Sequence, residues 1–463
     1  MLCSTLLSGC ASNANYTLSD RSCVAANLNC RFGKTVGSPT CPREVVFPNG
    51  ISLHNELSEE EAVLLALWNN AAFLEQLTDL GIAHGDLVQA GLLPNPELLY
   101  YFPVSDKPFK YLFDFPLESL WLRPIRVAAA EREYDRVCQR LTQTGIDLIR
   151  DTRQAYADVL LAHGRLRVAN DAVSIRSYVA RIAKTRLDAG DISPQESSTA
   201  LIDASRRSRS ARIAFDIGIA EERLRNLMGV SADRTQLRLI HDRRAYPQSL
   251  DVEILATDAT NSRPDALAAS QFSAAAAERL RLSKIGWVRF LGVLDATSGA
   301  NGHEFGPAVR MTLPVFNWNQ GGIARAEAEL EKAERQRQTV NNQILMDVHQ
   351  AHLRFTQGQA ELKVLVERVR PQVEQAIRQS ENAYKEGNTP YVVVLQTTQQ
   401  LIDSRNREVQ LHTDLRRAWA ELERSVGRHL DDLTPLPFEQ LPTPVPTPSK
   451  QQDANVGRQN PQP

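Results

Sequence analysis

Apolar positions recur every three, four or seven residues through two very long stretches of this chain. Val137, Leu141, Leu148, Ala155 and Val159 mark the first, and Ile344, Val348, Phe355, Leu362, Leu365, Val369 and Val373 the second. That spacing predicts coiled-coil-like helices over about 123–187 and about 323–384. At ~1.5 Å per residue each reaches about 100 Å, longer than a bilayer is thick. Gly145, Gly164 and Gly358 are tolerated costs inside them, and Pro371 is positioned to kink the second.

Just before each long stretch the period changes to two. Tyr111, Phe113, Phe115 and Leu117 alternate with Leu112, Asp114 and Pro116. Val309, Met311, Leu313 and Val315 alternate with Ala308, Arg310 and Thr312. With partners over 98–104 and 287–295, and Gly299-Ala300-Asn301-Gly302 as a loop, these predict two hairpins, each apolar on one side. The two patterns are in phase. Phe115-Pro116-Leu117 returns as Leu313-Pro314-Val315, Gly190 as Gly387 and Gly229 as Gly427. All three offsets are roughly two hundred residues, so one long unit is written twice.

The chain divides accordingly. Residues 51–229 are a first repeat (helix, hairpin 97–117, long helical hairpin), 230–260 a linker, and 261–428 a second repeat with its hairpin at 286–316. Ser58-Glu59-Glu60-Glu61 is a capping box opening one helix that stops at Gly91-Leu92-Leu93-Pro94. Each long helix turns at a glycine followed by a proline, through Leu187-Asp188-Ala189-Gly190 to Pro194 and through Tyr384-Lys385-Glu386-Gly387 to Pro390. Residues 10–50 read as an extended arm, and the Pro- and Gln-rich 429–463 as a disordered tail.

Composition narrows the function classes. With 53 Lys+Arg against 55 Asp+Glu the net charge is −2, which argues against a nucleic-acid surface. No run of eighteen apolar residues exists, so a membrane crossing would have to be made of strands. One copy has too few strands to close a barrel, and an open edge cannot sit in lipid, so copies must pool their strands. Nine histidines are scattered, and no nucleophile elbow, P-loop or H-E-x-x-H is present, so no enzyme chemistry is expected. His349 and His352, on neighbouring helical turns, read as solvated rather than metal-ligating. Neither a metal site nor a cofactor is expected.

Five of six cysteines crowd the front. Cys138 reads as a small packed residue, and a disulfide among Cys23, Cys30 and Cys41 is open. Leu7-Ser8-Gly9-Cys10 resembles a lipobox, behind a remnant (1–9) too short for a whole signal peptide. Read this way Cys10 is acylated and anchors the chain in a membrane. Ala11 and Ser12 follow it, with no inner-membrane retention aspartate.

From Leu57 to Gly427 this organisation resembles the outer-membrane factor family, the TolC-like efflux channels. Gln89-Ala90-Gly91-Leu92-Leu93-Pro94-Asn95-Pro96 carries the resemblance, with Leu313-Pro314-Val315-Phe316 before Asn317-Trp318-Asn319-Gln320-Gly321-Gly322, and Tyr384-x-x-Gly387. With the lipobox it implies the lipoprotein branch. The implied fold is mainly α with β, a helical barrel continuous with a transmembrane β-barrel and built by a homotrimer. The implied function is a passive conduit in the bacterial outer membrane, lipid-anchored and extending into the periplasm. Its partners would be a periplasmic adaptor and a proton-driven inner-membrane pump, exporting small molecules or metal ions.

The resemblance also places a gate at the periplasmic tips, here Gly190, Glu196, Tyr384 and Gly387, with a Tyr384–Glu196 hydrogen bond holding it closed. Better-studied members carry two aspartates where this chain has Val393 and Gln396, which removes an acidic entrance ring. The same channel class also serves type I protein secretion. A coiled-coil scaffold would share the helices but not the duplicated hairpins. A periplasmic adaptor would have one helical hairpin where this chain has two.

Overall fold

The computed structural model describes residues 21–41, 44–102, 110–205, 208–241, 246–247, 249–299 and 302–430. Its helices and strands in chain order are α1 (Ser22–Phe32), β1 (Glu56–Leu57), α2 (Glu59–Asn69), α3 (Ala71–Leu77), α4 (Asp79–Gly91), β2 (Glu97–Tyr101), β3 (Lys110–Pro116), α5 (Ser119–Asp188), α6 (Pro194–Ser205) and α7 (Ser208–Leu227). There follow β4 (Arg238–Leu239), α8 (Val252–Ser262), α9 (Pro264–Ile285), β5 (Phe290–Gly299), β6 (Gly302–Met311), α10 (Gln320–Val364), α11 (Arg370–Lys385) and α12 (Tyr391–Val426). The expected helix-plus-strand architecture is present, with both long helical hairpins rising from one sheet.

α5 is a single helix of 70 residues that runs through Pro124, whose missing amide leaves the Leu120 carbonyl without its helical donor. Its counterpart is α10 and α11, joined through a π-helical turn at Leu365–Val369 just ahead of Pro371. That turn absorbs the missing proline amide and lets the helix continue. Gly190 (φ 81°), Gly387 (φ 83°), Gly229 (φ 71°) and Gly427 (φ 83°) all take the left-handed conformation that ends a helix. The duplicated glycines are therefore duplicated stops.

The four-stranded sheet runs β2-β3-β5-β6, every pair antiparallel. β3 pairs with β5 in the register Phe113 to Leu294, joining the two hairpins edge to edge. The last strand ends at Met311, so Leu313-Pro314-Val315 lies beyond it in the connection to α10 rather than in the strand as the alternation suggested. The tightness of that connection explains its motif. Asn319 takes φ 61°, donates to the Ser283 carbonyl at the end of α9 (2.9 Å), and leaves no room for a Cβ at Gly322.

The capping box forms: the Ser58 hydroxyl accepts from the Glu61 amide, and the Glu61 carboxylate accepts from the Ser58 amide at 2.8 Å. Four other expectations are corrected. The single helix expected over 59–91 is three, because Asn70 leaves the helix to cap α3 through its Oδ1 while its amide donates to the Leu227 carbonyl at 2.9 Å. The arm at 10–50 is not all extended, since α1 buries Val24, Leu28 and Phe32 against α2–α5. The linker at 230–260 holds β4, paired in parallel with β1, and most of α8. His429 and Leu430, assigned to the tail, are packed: the His429 amide donates to the Arg31 carbonyl at 3.0 Å and Leu430 is 1% exposed.

The cysteine reading is also corrected. Cys23 and Cys138 form a disulfide, with Cα atoms 6.4 Å apart. Cys138 is buried, as expected of a packed residue, but it is bonded to a partner 115 residues away. Cys30 and Cys41 are exposed outside it.

Candidate functional site

Three surfaces carry functional chemistry: the sheet, the face of the helical layer opposite its covered side, and the tip of the hairpins.

Register sorts the sheet into two unlike faces. Tyr100 stands opposite Tyr111, Phe113 opposite Leu294 and Phe290 opposite Met311, all on one face. Phe115, Phe305 and Val309 share it, at 43%, 70% and 68% exposure. The other face carries Lys110, Asp114, Asp295 and Arg310, joined by the pairs Lys110–Asp295 (2.6 Å) and Arg310–Asp114 (3.0 Å). At the base of the sheet Trp121 lies against Phe290 and Trp287 against Trp318, both at 5.5 Å. Aromatics at that level, below an apolar band, mark a lipid–water boundary.

α5, α12 and α10 lie side by side as a layer below the sheet. One side is covered, where Phe355 and Trp419 pack with Tyr246, and the Tyr156 hydroxyl lies 2.9 Å from both the Leu57 and Ile240 carbonyls. Leu415, Trp419, Leu422 and Val426 form the buried stripe of α12. Asp414, Arg417 and Glu421 recur on its opposite side, where a groove of about 410 Å³ also takes in Arg354, Glu361 and Arg407. Both signs of charge are present and largely paired there, as in Arg407–Glu361 (2.5 Å), Arg150–Glu421 (3.3 Å) and the Arg417–Asp158 pair.

At the tip Glu196, Tyr384 and Gly387 gather round Arg186 and Tyr391, though not as the expected pair, while Gly190 has open space beside it. Glu196 accepts from the Tyr391 backbone amide at 3.2 Å, while the buried Tyr384 hydroxyl makes no hydrogen bond to it. Tyr384 is held by Arg186 instead, whose guanidinium sits 4.7 Å from the ring centroid and donates to the Tyr384 carbonyl at 3.0 Å. Tyr391 closes the cluster by donating its hydroxyl to Asp203 at 3.2 Å. Burial, then the neighbouring Asp203 carboxylate, push the Tyr391 phenol well above its usual range, and burial with nearby Glu196 raises that of Tyr384. Val393 is half-buried and Gln396 exposed on α12, so neither brings a charge to the tip. Arg186 and Tyr391 escaped the sequence reading. An arginine four residues before Gly190 and a tyrosine just after Pro390 were the available signals.

A fourth cluster holds the two repeats together. Arg153, 3% exposed at its side chain, lies between Glu60 (2.8 Å) and the buried Glu423, which also meets His429 Nδ1 at 2.8 Å. Burial alone would raise the Glu60 carboxyl, but Arg153 and Lys34 outweigh it and hold that group at about 2. Nearby, Arg263 reaches Asp347 (3.1 Å) and the Ser425 carbonyl (3.1 Å).

Among known proteins, a family model described as "Outer membrane efflux protein" matches residues 115–230 and 263–428, the two halves of the duplication. The chain belongs to the outer membrane efflux protein family. It is similar to the cobalt-zinc-cadmium resistance protein CzcC of Cupriavidus metallidurans, 24% identical over 398 residues that span 84% of this chain and 93% of that one. Among solved structures it is similar to the outer membrane protein VceC of Vibrio cholerae (TM-score 0.67, 18% identity, 80% of this chain and 96% of that one). It is also similar to CusC, whose structures describe transmembrane channel formation (TM-score 0.68, 15% identity, 85% and 99%). This outer membrane efflux protein shares with those structures the fold that sets a four-stranded sheet on a long helical layer.

Proposed function

We propose that this efflux protein works as a homotrimer, the passive outer-membrane conduit of a tripartite system completed by a periplasmic adaptor and a proton-driven inner-membrane pump. Divalent metal cations are its favoured cargo class. The observation that carries the assembly is the sheet. β2 and β6 each present an unpaired edge among the described residues, flanked by an apolar face and an ionic one. Unpaired backbone amides and carbonyls each cost several kcal/mol in hydrocarbon. Copies of the same chain, adding edge to edge, remove that cost and turn the ionic face to a water-filled interior. Similarity to CzcC supports the cargo. The conduit changes nothing chemically; paired charges on the bare side of the helical layer give it a wet wall without a strong field of either sign.

Acylation at Cys10, which lies outside the described residues, supplies the anchor in this reading. α1 docks at Cys138, about 26 Å along α5 from Trp121 at ~1.5 Å per residue. The chain from Cys10 to Cys23 spans at most about 45 Å when extended, enough to reach the tryptophan level. The tip cluster is the gate, with Glu196 and Arg186 as the contacts that must part for Gly190 and Gly387 to move.

The test is native mass spectrometry on detergent-extracted outer membranes, with a Cys10→Ala variant, followed by planar-bilayer recording in zinc and potassium salts. A trimer that conducts both cations, and loses acyl mass in the variant, supports the reading. A monomer or dimer without conductance sinks it. A conducting trimer whose deletion leaves zinc, cobalt and cadmium tolerance unchanged removes the metal cargo alone.

A further inference from the structure

We propose that α1 is an oxidation-locked clasp that closes the junction between the two repeats, with the Cys23–Cys138 disulfide as its bolt. Among the described residues α1 touches all the parts concerned. At one end Cys23 is bonded to Cys138 in the middle of the first repeat's long helix. The Asn27 side chain lies alongside, donating to the Cys23 carbonyl at 2.8 Å and facing Cys138 Sγ at 3.7 Å. In the centre Leu28 presses so closely on α5 that a Cβ at Gly145 would come within 2.9 Å of it.

At the other end Arg31, 3% exposed, donates to the Gly427 carbonyl at 3.3 Å and to the Ser262 carbonyl at 2.5 Å. Those two carbonyls belong to the C-terminal ends of α12 and α8. The Arg31 carbonyl in turn accepts from the His429 amide at 3.0 Å, and Phe32 stacks toward the His429 ring. α1 therefore ties α5 in the first repeat to the end of the second, across nearly the whole chain.

The apolar contacts of a helix of 11 residues are few, and a helix that short holds its place only through tertiary contacts. A covalent bond to α5 limits undocking to fraying, so Arg31 stays on its two carbonyls. Without the bond α1 can leave, and the ends of α8 and α12 lose their buried donor. The bond forms by exchange with an oxidising protein or small-molecule disulfide. One cysteine thiolate attacks an R–S–S–R sulfur and releases R–S⁻. The second thiolate then displaces the other R–S⁻ from the mixed disulfide, so two electrons and two protons leave the cysteine pair and two R–SH form. An outer-membrane protein meets such oxidants in the periplasm, and the cytosol keeps the same pair reduced.

The experiment uses the full chain. Peptide mapping of non-reduced protein, alkylated in denaturant, should recover Cys23 linked to Cys138. Dithiothreitol treatment, and separately a Cys23→Ser/Cys138→Ala variant, should speed amide exchange at residues 427–430 and tryptic cleavage at Arg31 by tenfold or more. Exchange at the tip amide of Tyr391 should stay unchanged, and a Cys30→Ser variant should behave as the parent. Alkylation of both Cys23 and Cys138 without reduction overturns the proposal. So does a linked pair whose reduction leaves exchange at 427–430 and cleavage at Arg31 at the parent rates. Channel conductance is not a readout here, so the outcome stands apart from that of the transport reading.

Discussion

The Glu196 carboxylate accepts the backbone amide of Tyr391 at 3.2 Å, so a residue of the first hairpin caps the helix that opens the return of the second. α12 has no side-chain cap of its own, because its N-cap position is Pro390. Glu196→Ala leaves that first turn uncapped, at a cost of about 1 kcal/mol. Conductance should rise, and amide exchange at 391–394 should quicken about fivefold. Glu196→Gln, which keeps an acceptor, should lie between the variant and the parent. Unchanged conductance in Glu196→Ala would remove this contact from the gate.

The two glycine stops of the first repeat should respond differently to the same substitution. Gly190 has a left-handed backbone and open space around it, so Gly190→Ala costs only the conformational term of about 1 kcal/mol. Gly229 has the same conformation, but a Cβ there would stand 2.1 Å from the Asn69 carbonyl oxygen. Gly229→Ala must also move α2 and should cost at least about 3 kcal/mol. Thermal unfolding of the two variants should separate by well over the error of the measurement; equal losses would mean that the close approach at Asn69 is not sustained.

Arg153 and Glu423 are both almost fully buried, so removing one strands the other. Glu423→Ala should destabilise by about 3 kcal/mol or more, whereas Arg153→Met with Glu423→Leu should recover much of that loss. A double-mutant cycle read by denaturant midpoints checks it. Strict additivity would show that the pair contributes no coupling.

Glu60 gives the junction a pH dependence with a definite sign. Its folded value of about 2 lies below the ordinary 4.5, so the folded state binds its proton less readily than the unfolded chain does. The stabilisation is therefore complete above about 4.5 and is lost as the pH falls toward 2. The Glu60 side chain is 41% exposed, so screening holds the effect to roughly 1 kcal/mol or less. Melting temperature should decline over that window in the parent and decline less in Glu60→Gln. Parallel curves would assign the acid sensitivity elsewhere.

Much of the architecture was legible from local pattern. The long helices, the phase of Phe113 with Met311, and the glycine stops at 190, 229, 387 and 427 each depend on periodicity or on one backbone conformation. Such signals survive in a single sequence because a helix or strand must show one face to its surroundings at a fixed repeat. The tip was half legible: Glu196, Tyr384 and Gly387 lie in one cluster and Gly190 stands in open space, but the atoms that meet are Glu196 with the Tyr391 amide and Arg186 with the Tyr384 carbonyl. Reach and rotamer select such pairs within a cluster, and neither is encoded by spacing.

The sequence alone decided the long helices, the two hairpins and the duplication, since hydrogen bonding within a helix and alternation along a strand need only neighbours. Packing decided the rest. Cys138 gains a disulfide partner because α1 folds back onto α5, a contact across 115 residues that no local pattern reports. Asn70 breaks a helix that its flanking residues would continue, because its side chain is drawn to the Leu227 carbonyl. In each case the deciding atom belongs to an element far away in the chain, and proximity in space is what a linear pattern leaves unwritten.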